Sequence, residues 1–521
     1  MWESEHRPFR VEVRERLERF AAHGDERPRR RDRSEFAPQA PKRAIIGEMR
    51  SQVTFARAAT DFAGAHRVAL VVWSAAVATF IRTYLAWRYY GFQTGDDLEV
   101  LEEAFRRSVG LRHAPWDIRS LFLPDIVIAP VIGATHALGA SRAFTLALVA
   151  RFVFVTLTTL NIFLVWCLGR VWYGEAEAAV AAILYSFHWM PLVYGSSCEP
   201  RTIAVTLILT AVLCIARGPD WRFVVVAGSL CAVATTARYS ESIFFCGAAL
   251  LAYCSADGAE GRRRNVCWSL TAGFAVVFSL VVGWYDFLTW GQWFGSLVKF
   301  ANLTFVRRES SSIVAAQPVW WYVTNMFHWL PASAVPLLFA GIRKRADKCR
   351  AGALIGTPLV LLSVIFHKEL RYVQVVVPFA LLLAAHGAVL WWETRRTLVI
   401  ILVAASLPLG LGHIGLAERR TTNAASAAEY IASHRPTWIA LSQAWAYGGR
   451  VFLGNEPRID EIGVPPDASA VANIARSISV IGVYSTDVNQ RLREICQKAG
   501  LSREMKVDHR GGRSVTVFSR Y

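Results

Sequence analysis

The sequence predicts a mainly α, polytopic membrane helix bundle that carries a small C-terminal α/β domain. Three observations predict it. Of its 521 residues, 54% are hydrophobic and 19% charged, with a mean hydropathy of +0.31, too apolar for one soluble enzyme of that length. Runs of about twenty apolar residues, the length that crosses a hydrocarbon core, recur from residue 67 to residue 415. Beyond residue 416 polar and apolar residues mix, and short period-two patterns alternate with helical ones.

Taken in order, residues 1–66 form an Arg-rich polar tail centred on Arg27-Pro28-Arg29-Arg30-Arg31-Asp32-Arg33. The reading is a solvated cytoplasmic tail, drawn to anionic lipid by about 1 kcal/mol per basic residue near the surface. The first sixty residues hold no apolar core long enough for a signal peptide. Spans are expected at 67–90, 147–169, 176–195, 200–216, 222–237, 241–256, 266–288, 318–341, 351–366, 371–392 and 397–415. Segment 121–139 is apolar too, but Pro124, Asp125, Pro130 and His136 interrupt it. Leaving it out places Arg170, Arg217, Arg262–Arg264, Arg343–Arg345 and Arg395–Arg396 in cytoplasmic loops, whereas counting it moves all of them outside, against the positive-inside rule. It is therefore read as a helix along the outer face, and the expected number of spans is eleven.

That topology puts the loop 91–146, the turns near 195–201 and 238–241, the loop 289–317, the turn 366–372 and everything after 416 on the non-cytoplasmic side. In the last hundred residues, strands are expected at Trp438–Leu441, Val451–Leu453, Val480–Val483 and Val515–Phe518, and helices at Ala424–His434 and Asp487–Ala499. The net charge of +17 gathers in the tail and in loops between spans. That distribution reads as membrane topology, and there is no interleaved basic and aromatic surface for nucleic acid. Most of the nine cysteines fall inside spans, no pair has metal-ligand spacing, and pairing of Cys198 or Cys496 is left open.

Three outer segments carry polar groups that lipid would not tolerate. The first, Gln93–Phe105, packs Asp96, Asp97, Glu99, Glu102 and Glu103 into eight residues. Thr94 and Asp97 form a capping-box pattern that starts a helix, and Asp96, Glu99 and Glu103 share one of its faces. Alone this reads as a solvated helix face. Trp116-Asp117-Ile118-Arg119-Ser120 follows it. The second segment runs from Asp286 through Trp290, Gln292, Trp293 and Asn302 to Arg307-Arg308-Glu309; with Trp320 and Trp321, its rings and amides suit a sugar or an interfacial belt equally. The third is His367-Lys368-Glu369-Leu370-Arg371-Tyr372, wedged between two spans. Its alternating cations and anions suit a fixed anion such as a lipid phosphate better than snorkelling, from which Glu and His gain nothing. Together the three offer a carboxylate for general-base work and cations for a phosphate leaving group, the equipment for glycosyl transfer from a lipid-phosphate donor.

In these motifs the chain resembles the membrane-integral C-type (GT-C) glycosyltransferases, and among them family 22, the dolichyl-phosphate-mannose-dependent α-mannosyltransferases. Asp96-Asp97 … Glu103 is similar to the family's first-loop acidic pair with its following Glu, and Trp116 … Arg119-Ser120 … Pro124 to its Trp-Glu … Arg-Ser … Pro stretch. Asp286 … Trp290-Gly-Gln-Trp293 … Phe300-Ala-Asn302 resembles a further segment, and His367-Lys-Glu-Leu-Arg-Tyr372 its His-Lys-Glu-x-Arg-Phe signature. Thr94-Gly95 stands where the family has His-Pro, and Asp97 where it usually has Glu. The resemblance implies an inverting transfer of a sugar, mannose above all, from a polyprenyl-phosphate donor to a lipid-linked or surface glycan acceptor. It implies Asp96 as general base, supported by Asp97 and Glu103, with Lys368, Arg371, His367 and Arg119 on the donor phosphate. Asp286, Trp290, Trp293, Asn302 and Glu369 would contact substrate. No cofactor is implied; Asp96, Asp97 and Glu103 could hold a divalent ion, but a metal-free base is the simpler reading. The Ala- and Arg-rich composition points to a bacterial inner membrane with the site facing the periplasm, or to the endoplasmic reticulum membrane in a eukaryote. The rival reading is a transporter or flippase of an anionic, lipid-linked substrate. It fits less well, because the charges gather in outer connections and no inverted repeat is evident.

Overall fold

The computed structural model describes residues 66–88, 95–112, 118–218, 220–256, 260–307, 316–407, 412, 414–415, 423–454, 457–508 and 512–520. The expected basic tail (but for His66), the Thr94 cap, Trp116-Asp117 and Arg308-Glu309 lie outside them. Helices dominate: α1 (His66–Arg88), α2 (Gly95–Ser108), α3 (Ala143–Trp172), α4 (Glu175–Ser186), α5 (Trp189–Val193), α6 (Arg201–Arg217), α7 (Trp221–Thr235), α8 (Ile243–Ser255), α9 (Glu260–Trp290), α10 (Ala334–Gly341) and α11 (Val377–Ser406).

The number of spans is corrected. Among the described residues α1, α3 and α9 are long and apolar enough to cross a membrane, and a fourth span results if the pair Glu175–Ser186 and Trp189–Ser196, bent by 55°, counts as one. Hydropathy counts apolar residues but not the breaks between them. Segment 318–341 is divided into Trp321–Thr324, Met326–Trp329 and α10, and 351–366 passes through a π turn at Gly352–Gly356. Helices α6, α7 and α8 have 17, 15 and 13 residues, short of the roughly twenty that a span needs. The expected boundary between 392 and 397 falls inside α11, where Arg395 leaves helical space at φ −141°, ψ 41°. Segment 121–139 is a π turn, Pro124–Ile128, running into the nine-residue helix Ala129–Ala137.

Buried arginines satisfy the backbone where helices end or bend, as carbonyls removed from water require. Arg82 reaches into the α4–α5 bend and donates from Nε to the Pro191 carbonyl at 3.0 Å, and Arg151 donates from Nη1 to the Ala86 carbonyl near the end of α1 at 3.0 Å. Elsewhere helices touch backbone to backbone through glycine. A Cβ on Gly387 would lie 1.9 Å from the Leu337 oxygen across the α10–α11 contact, and one on Gly228 would lie 2.0 Å from the Leu270 oxygen between α7 and α9, the small-residue packing that membrane helices favour.

From Gly64 onward the chain packs as one unit, and its main core continues from the helices into the C-terminal region. There a five-stranded sheet has the order β2-β1-β3-β5-β4, with β1 (Trp438–Ser442) parallel to β2 (Arg458–Ile462) and β3 (Val480–Tyr484), and β5 (Val515–Ser519) antiparallel to β3 and β4 (Arg503–Val507). The helices here are α12 (Ala424–Ser433), α13 (Gly449–Leu453), α14 (Ala468–Ile474) and α15 (Gln490–Lys498). Period two divides the sheet's faces. Ile439, Leu441, Val480 and Val517 join the main core, while Ala440, Ile481, Val483 and Phe518 pack in a second core with Val471, Leu492 and Cys496. The run Val451–Leu453, expected as a strand, is the end of α13. The unexpected strands β2 and β4 lie at the two edges, where charged, mostly exposed residues hide the strand pattern and discourage edge pairing. All nine cysteines are free.

Gly387→Val is expected to wedge α10 from α11 and cost about 1–3 kcal/mol of stability. Thermal unfolding in detergent should show a clearly lowered midpoint for this variant and none for Gly261→Val, at whose Cβ position nothing lies within 4 Å.

Candidate active site

Helix α2 opens with Gly95-Asp96-Asp97, acidic residues at the end where the helix dipole favours them. Its shared acidic face is real. A single guanidinium spans it, Arg119 lying 2.9 Å from Asp96 Oδ1 through Nη1 and 2.9 Å from Glu99 Oε1 through Nε. Three more arginines, from three other connections, meet the same Asp96 carboxylate. Arg371 Nη1 lies 2.5 Å and Arg201 Nη1 3.8 Å from Oδ2, and Arg238 Nη2 contacts Oδ1. Asp96 and Arg201 are only 5% and 2% exposed.

A ring of carboxylates holds these arginines. Fully buried Glu199 bridges two of them, with Arg201 Nη1 3.1 Å from Oε1 and Arg371 Nη1 3.3 Å from Oε2. Glu241 takes Arg201 Nε at 3.1 Å, and Glu369 takes Arg371 Nε. Tyr372 lies under Arg201, its ring centre 4.3 Å from Cζ. Four guanidiniums thus face Asp96, Glu99, Glu199, Glu241 and Glu369, so burial leaves no charge without a counterion. A narrow cleft adjoins the cluster, its lining made of the polar Glu99, Glu103 and Arg119 and apolar residues that include Leu123, Ile128 and Ile203.

The expected residues distribute as follows. Asp96, Arg119, Glu369 and Arg371 come together although hundreds of residues separate the first pair from the second. Asp97 is fully buried beside Cys198, whose thiol feels it together with Arg151, and Glu103 lines the cleft. His367 Nε2 lies 2.8 Å from Glu369 Oε1. The Lys368 ammonium donates to the carbonyls of Ile365 at 2.6 Å and Gln317 at 3.1 Å, which ties the turn to the end of the loop 289–317. Asp286 is fully buried and accepts from the Ser296 N–H at 2.9 Å and the Ser296 hydroxyl at 2.6 Å. It staples the Gly291–Gly295 turn, and Ser296 Oγ in turn meets the Tyr239 hydroxyl, next in sequence to Arg238. Trp293 is exposed and stacks on Phe287 at 5.9 Å, Trp290 is half-buried and Asn302 is exposed. Among the described residues no group of three or more His, Cys, Asp or Glu side chains is arranged to hold a metal ion.

The sequence reading missed Glu199, Arg201, Arg238 and Glu241. A signal existed: all four are charged residues in the turns near 195–201 and 238–241, at the ends of apolar runs on the side where basic residues should be scarce.

A model of the Alg9-like mannosyltransferase family matches residues 98–424, more than half of the chain. The chain belongs to this family. Within the match lie Glu99, the loop 289–317 and the 367–372 turn, while Asp96 stands just ahead of it. GPI mannosyltransferase 3 of Yarrowia lipolytica is 22% identical over 327 residues, 60% of this chain and 62% of that protein, so the chain matches less than two thirds of this relative's length. In fold the chain is similar to ArnT from Cupriavidus metallidurans bound to undecaprenyl phosphate (TM-score 0.60, 14% identity, 86% of this chain and 97% of that one). It is also similar to the oligosaccharyltransferase AglB from Archaeoglobus fulgidus in complex with an inhibitory peptide and a dolichol-phosphate (TM-score 0.52, 10% identity, 84% and 72%). These likenesses make the chain a mainly α, membrane-associated helical protein of the same fold.

Two carboxyls of the cluster titrate in opposite senses. Burial raises Glu99 from the ordinary 4.5 to about 7 despite the Arg119 charge. At Glu369 burial would also raise the carboxyl, but the His367 hydrogen bond and the Arg371 charge hold it at about 2. A raised carboxyl contributes stability below its unfolded value and loses it as pH rises through its folded value; a depressed one contributes above its unfolded value and loses it as pH falls through its folded value. Glu99→Gln should therefore gain stability relative to the parent chain as pH rises from 4.5 through about 7. The deficit of Glu369→Gln should be constant above pH 4.5 and shrink as pH falls toward 2. Denaturation midpoints of both variants across that range check the two slopes.

Proposed function

We propose that the chain is an inverting mannosyltransferase that uses a polyprenyl-phosphate-linked sugar and a glycan or glycolipid acceptor on the non-cytoplasmic side of a membrane, with Asp96 as general base. The observation that carries this reading is the convergence of Arg119, Arg201, Arg238 and Arg371 on one buried aspartate beside a mostly apolar cleft. Membership of a mannosyltransferase family supports the sugar and the reaction class. The undecaprenyl phosphate bound to the similarly folded ArnT supports the donor class.

The chemistry follows from the charges. The acceptor hydroxyl attacks the anomeric carbon from the face opposite the phosphate, its proton passes to the Asp96 carboxylate, and the bond between the anomeric carbon and the phosphate oxygen breaks. The electron pair leaves with the polyprenyl phosphate, which gains one negative charge as it departs, and preorganised guanidiniums stabilise that charge more in the transition state than in the bound donor. The same guanidiniums now hold Asp96. Donor phosphate competes for them, and its arrival turns the carboxylate from a counterion into a base free to face the acceptor. Of the four expected phosphate ligands, Arg371 and Arg119 keep that role, joined here by Arg201 and Arg238, while the other two, Lys368 and His367, bond within the turn. Lys368 and His367 fix the turn that presents Arg371. Asp286, through Ser296 and Tyr239, holds the second outer loop, with Trp290, Trp293 and Asn302, against the cluster as the wall for sugar and acceptor. The membrane-facing architecture divides into a basic cytoplasmic tail (1–66), a catalytic bundle (67–415) and the α/β domain (416–521).

In membranes supplied with polyprenyl-phosphate mannose, Asp96→Asn should lower transfer by roughly 10²–10⁴-fold, the usual worth of a positioned base, with the protein still folded. Arg371→Ala should lower turnover and weaken donor binding together. Chromatography of labelled lipid-linked product reads both, and normal turnover by Asp96→Asn would remove the assignment.

A further inference from the structure

Helix α2 has a second acidic edge, which the mechanism does not use. Glu102 lies nearly two turns beyond Asp96, is 9% exposed, and points into the C-terminal domain. Its Oε2 accepts the Val451 N–H at 3.1 Å, and its Oε1 takes Arg106 Nε at 2.7 Å. Val451 comes just after Gly448 and Gly449, whose φ angles of +87° and +51° favour glycine. A Cβ on Gly449 would lie 3.0–3.3 Å from three atoms of the Glu102 carboxylate, so glycine is what lets the two elements approach.

The place of this contact in the sheet gives it meaning. Strand β1 is flanked by β2 on one side and β3 on the other, all three parallel. The chain leaves the carboxyl end of β1 through 443–451, where the path out to β2 and the path back to β3 diverge. Crevices at that point are where α/β sheets receive ligands, often anions on backbone N–H groups. Tyr484, at the carboxyl end of β3, fastens the crevice by donating to Gln443 Oε1 at 2.6 Å. The anion lodged there is a carboxylate from the chain's own α2.

We propose that Glu102 is a positioning residue, through which the C-terminal α/β domain sets the rotation and depth of α2 and so delivers Asp96 and Glu99 to the arginines. The inference rests on the reading of Asp96 as the base. The domain acts as a fixed receptor for one side chain, and its ligand crevice is used internally.

The test uses the full chain in lipid nanodiscs, with two readouts: backbone hydrogen exchange and steady-state transfer from polyprenyl-phosphate mannose. Glu102→Ala and Gly449→Ala should speed exchange across Gly95–Ser108 while leaving Ala143–Trp172 unchanged. Both should lower kcat about tenfold with the donor KM held within about twofold, the signature of an interaction lost only in the transition state. Glu102→Gln, whose amide oxygen still accepts from Val451, should recover most of both losses. If Glu102→Ala fails to accumulate, Gly449→Ala carries the test. Unchanged exchange in α2 overturns the clamp, loosened exchange with normal kcat overturns its positioning role, and failure of Glu102→Gln to rescue transfers the effect to the Arg106 pair. Failure of the underlying reading would show instead as normal turnover by Asp96→Asn, whatever Glu102 does.

Discussion

The structure depends on the need to neutralise one buried carboxylate. Asp96 is almost wholly removed from solvent, and an unpaired charge there would cost several kcal/mol. No single segment supplies the counter-charge. Arg119 comes from the stretch after α2, Arg201 from the start of α6, Arg238 from the end of α7 and Arg371 from the turn before α11. For those four guanidiniums to reach one point, the ends of the helices bearing them must gather on one side of the bundle. Glu199, Glu241 and Glu369 then hold the guanidiniums together, since cations packed this closely would otherwise repel.

Irregular backbone is concentrated in the segments that feed this point. The bent pair α4–α5 leads into Glu199, and the π turn at Pro124–Ile128 supplies wall to the cleft. Another π turn, Ser279–Trp284, precedes Asp286. Such backbone is tolerated at membrane depth only where protein supplies the missing partners. Here Arg82, His188 and Trp189 do so, His188 Nε2 lying 3.0 Å from the Trp329 carbonyl and Trp189 Nε1 donating to the His328 carbonyl at 2.9 Å. The bundle interrupts regular helices where it must turn side chains toward the cluster.

This explains what the sequence could and could not disclose. Asp96 and Glu99 were legible because helical periodicity is local, and Arg371 because cation and anion alternate within six residues. Arg201, Glu199, Arg238 and Glu241 were not, because each sits in a short turn with no local pattern that links it to the others. Their partners lie up to 172 positions away, as in the Arg371–Glu199 pair, and no periodicity records that distance. Hydropathy overstated the spans for a related reason: it weighs composition and is blind to the breaks at 324–326, 330–334 and 352–356. In the C-terminal domain the buried strands β1, β3 and β5 announced themselves by apolar runs, while the edges β2 and β4, paired on one side only, spend their side chains on solvent. Val451–Leu453 looked like a strand because its apolar residues are buried, but the glycines before it and the carboxylate above it favour a helical turn.

Helix α2 shows how both kinds of constraint act on one element. Its Asp96 and Glu99 are gripped by arginines along one edge, and one turn further its Glu102 is gripped by the Val451 N–H along another. Either contact alone would leave the helix free to roll about its axis. With both made, a roll that shortened one would stretch the other. Ion pairs tolerate some displacement, since Coulomb attraction falls slowly with distance. A backbone N–H on a carboxylate weakens steeply with misalignment. The directional bond to the α/β domain therefore fixes the angle of the helix, and the less directional ring of arginines accepts whatever position that angle gives the aspartate.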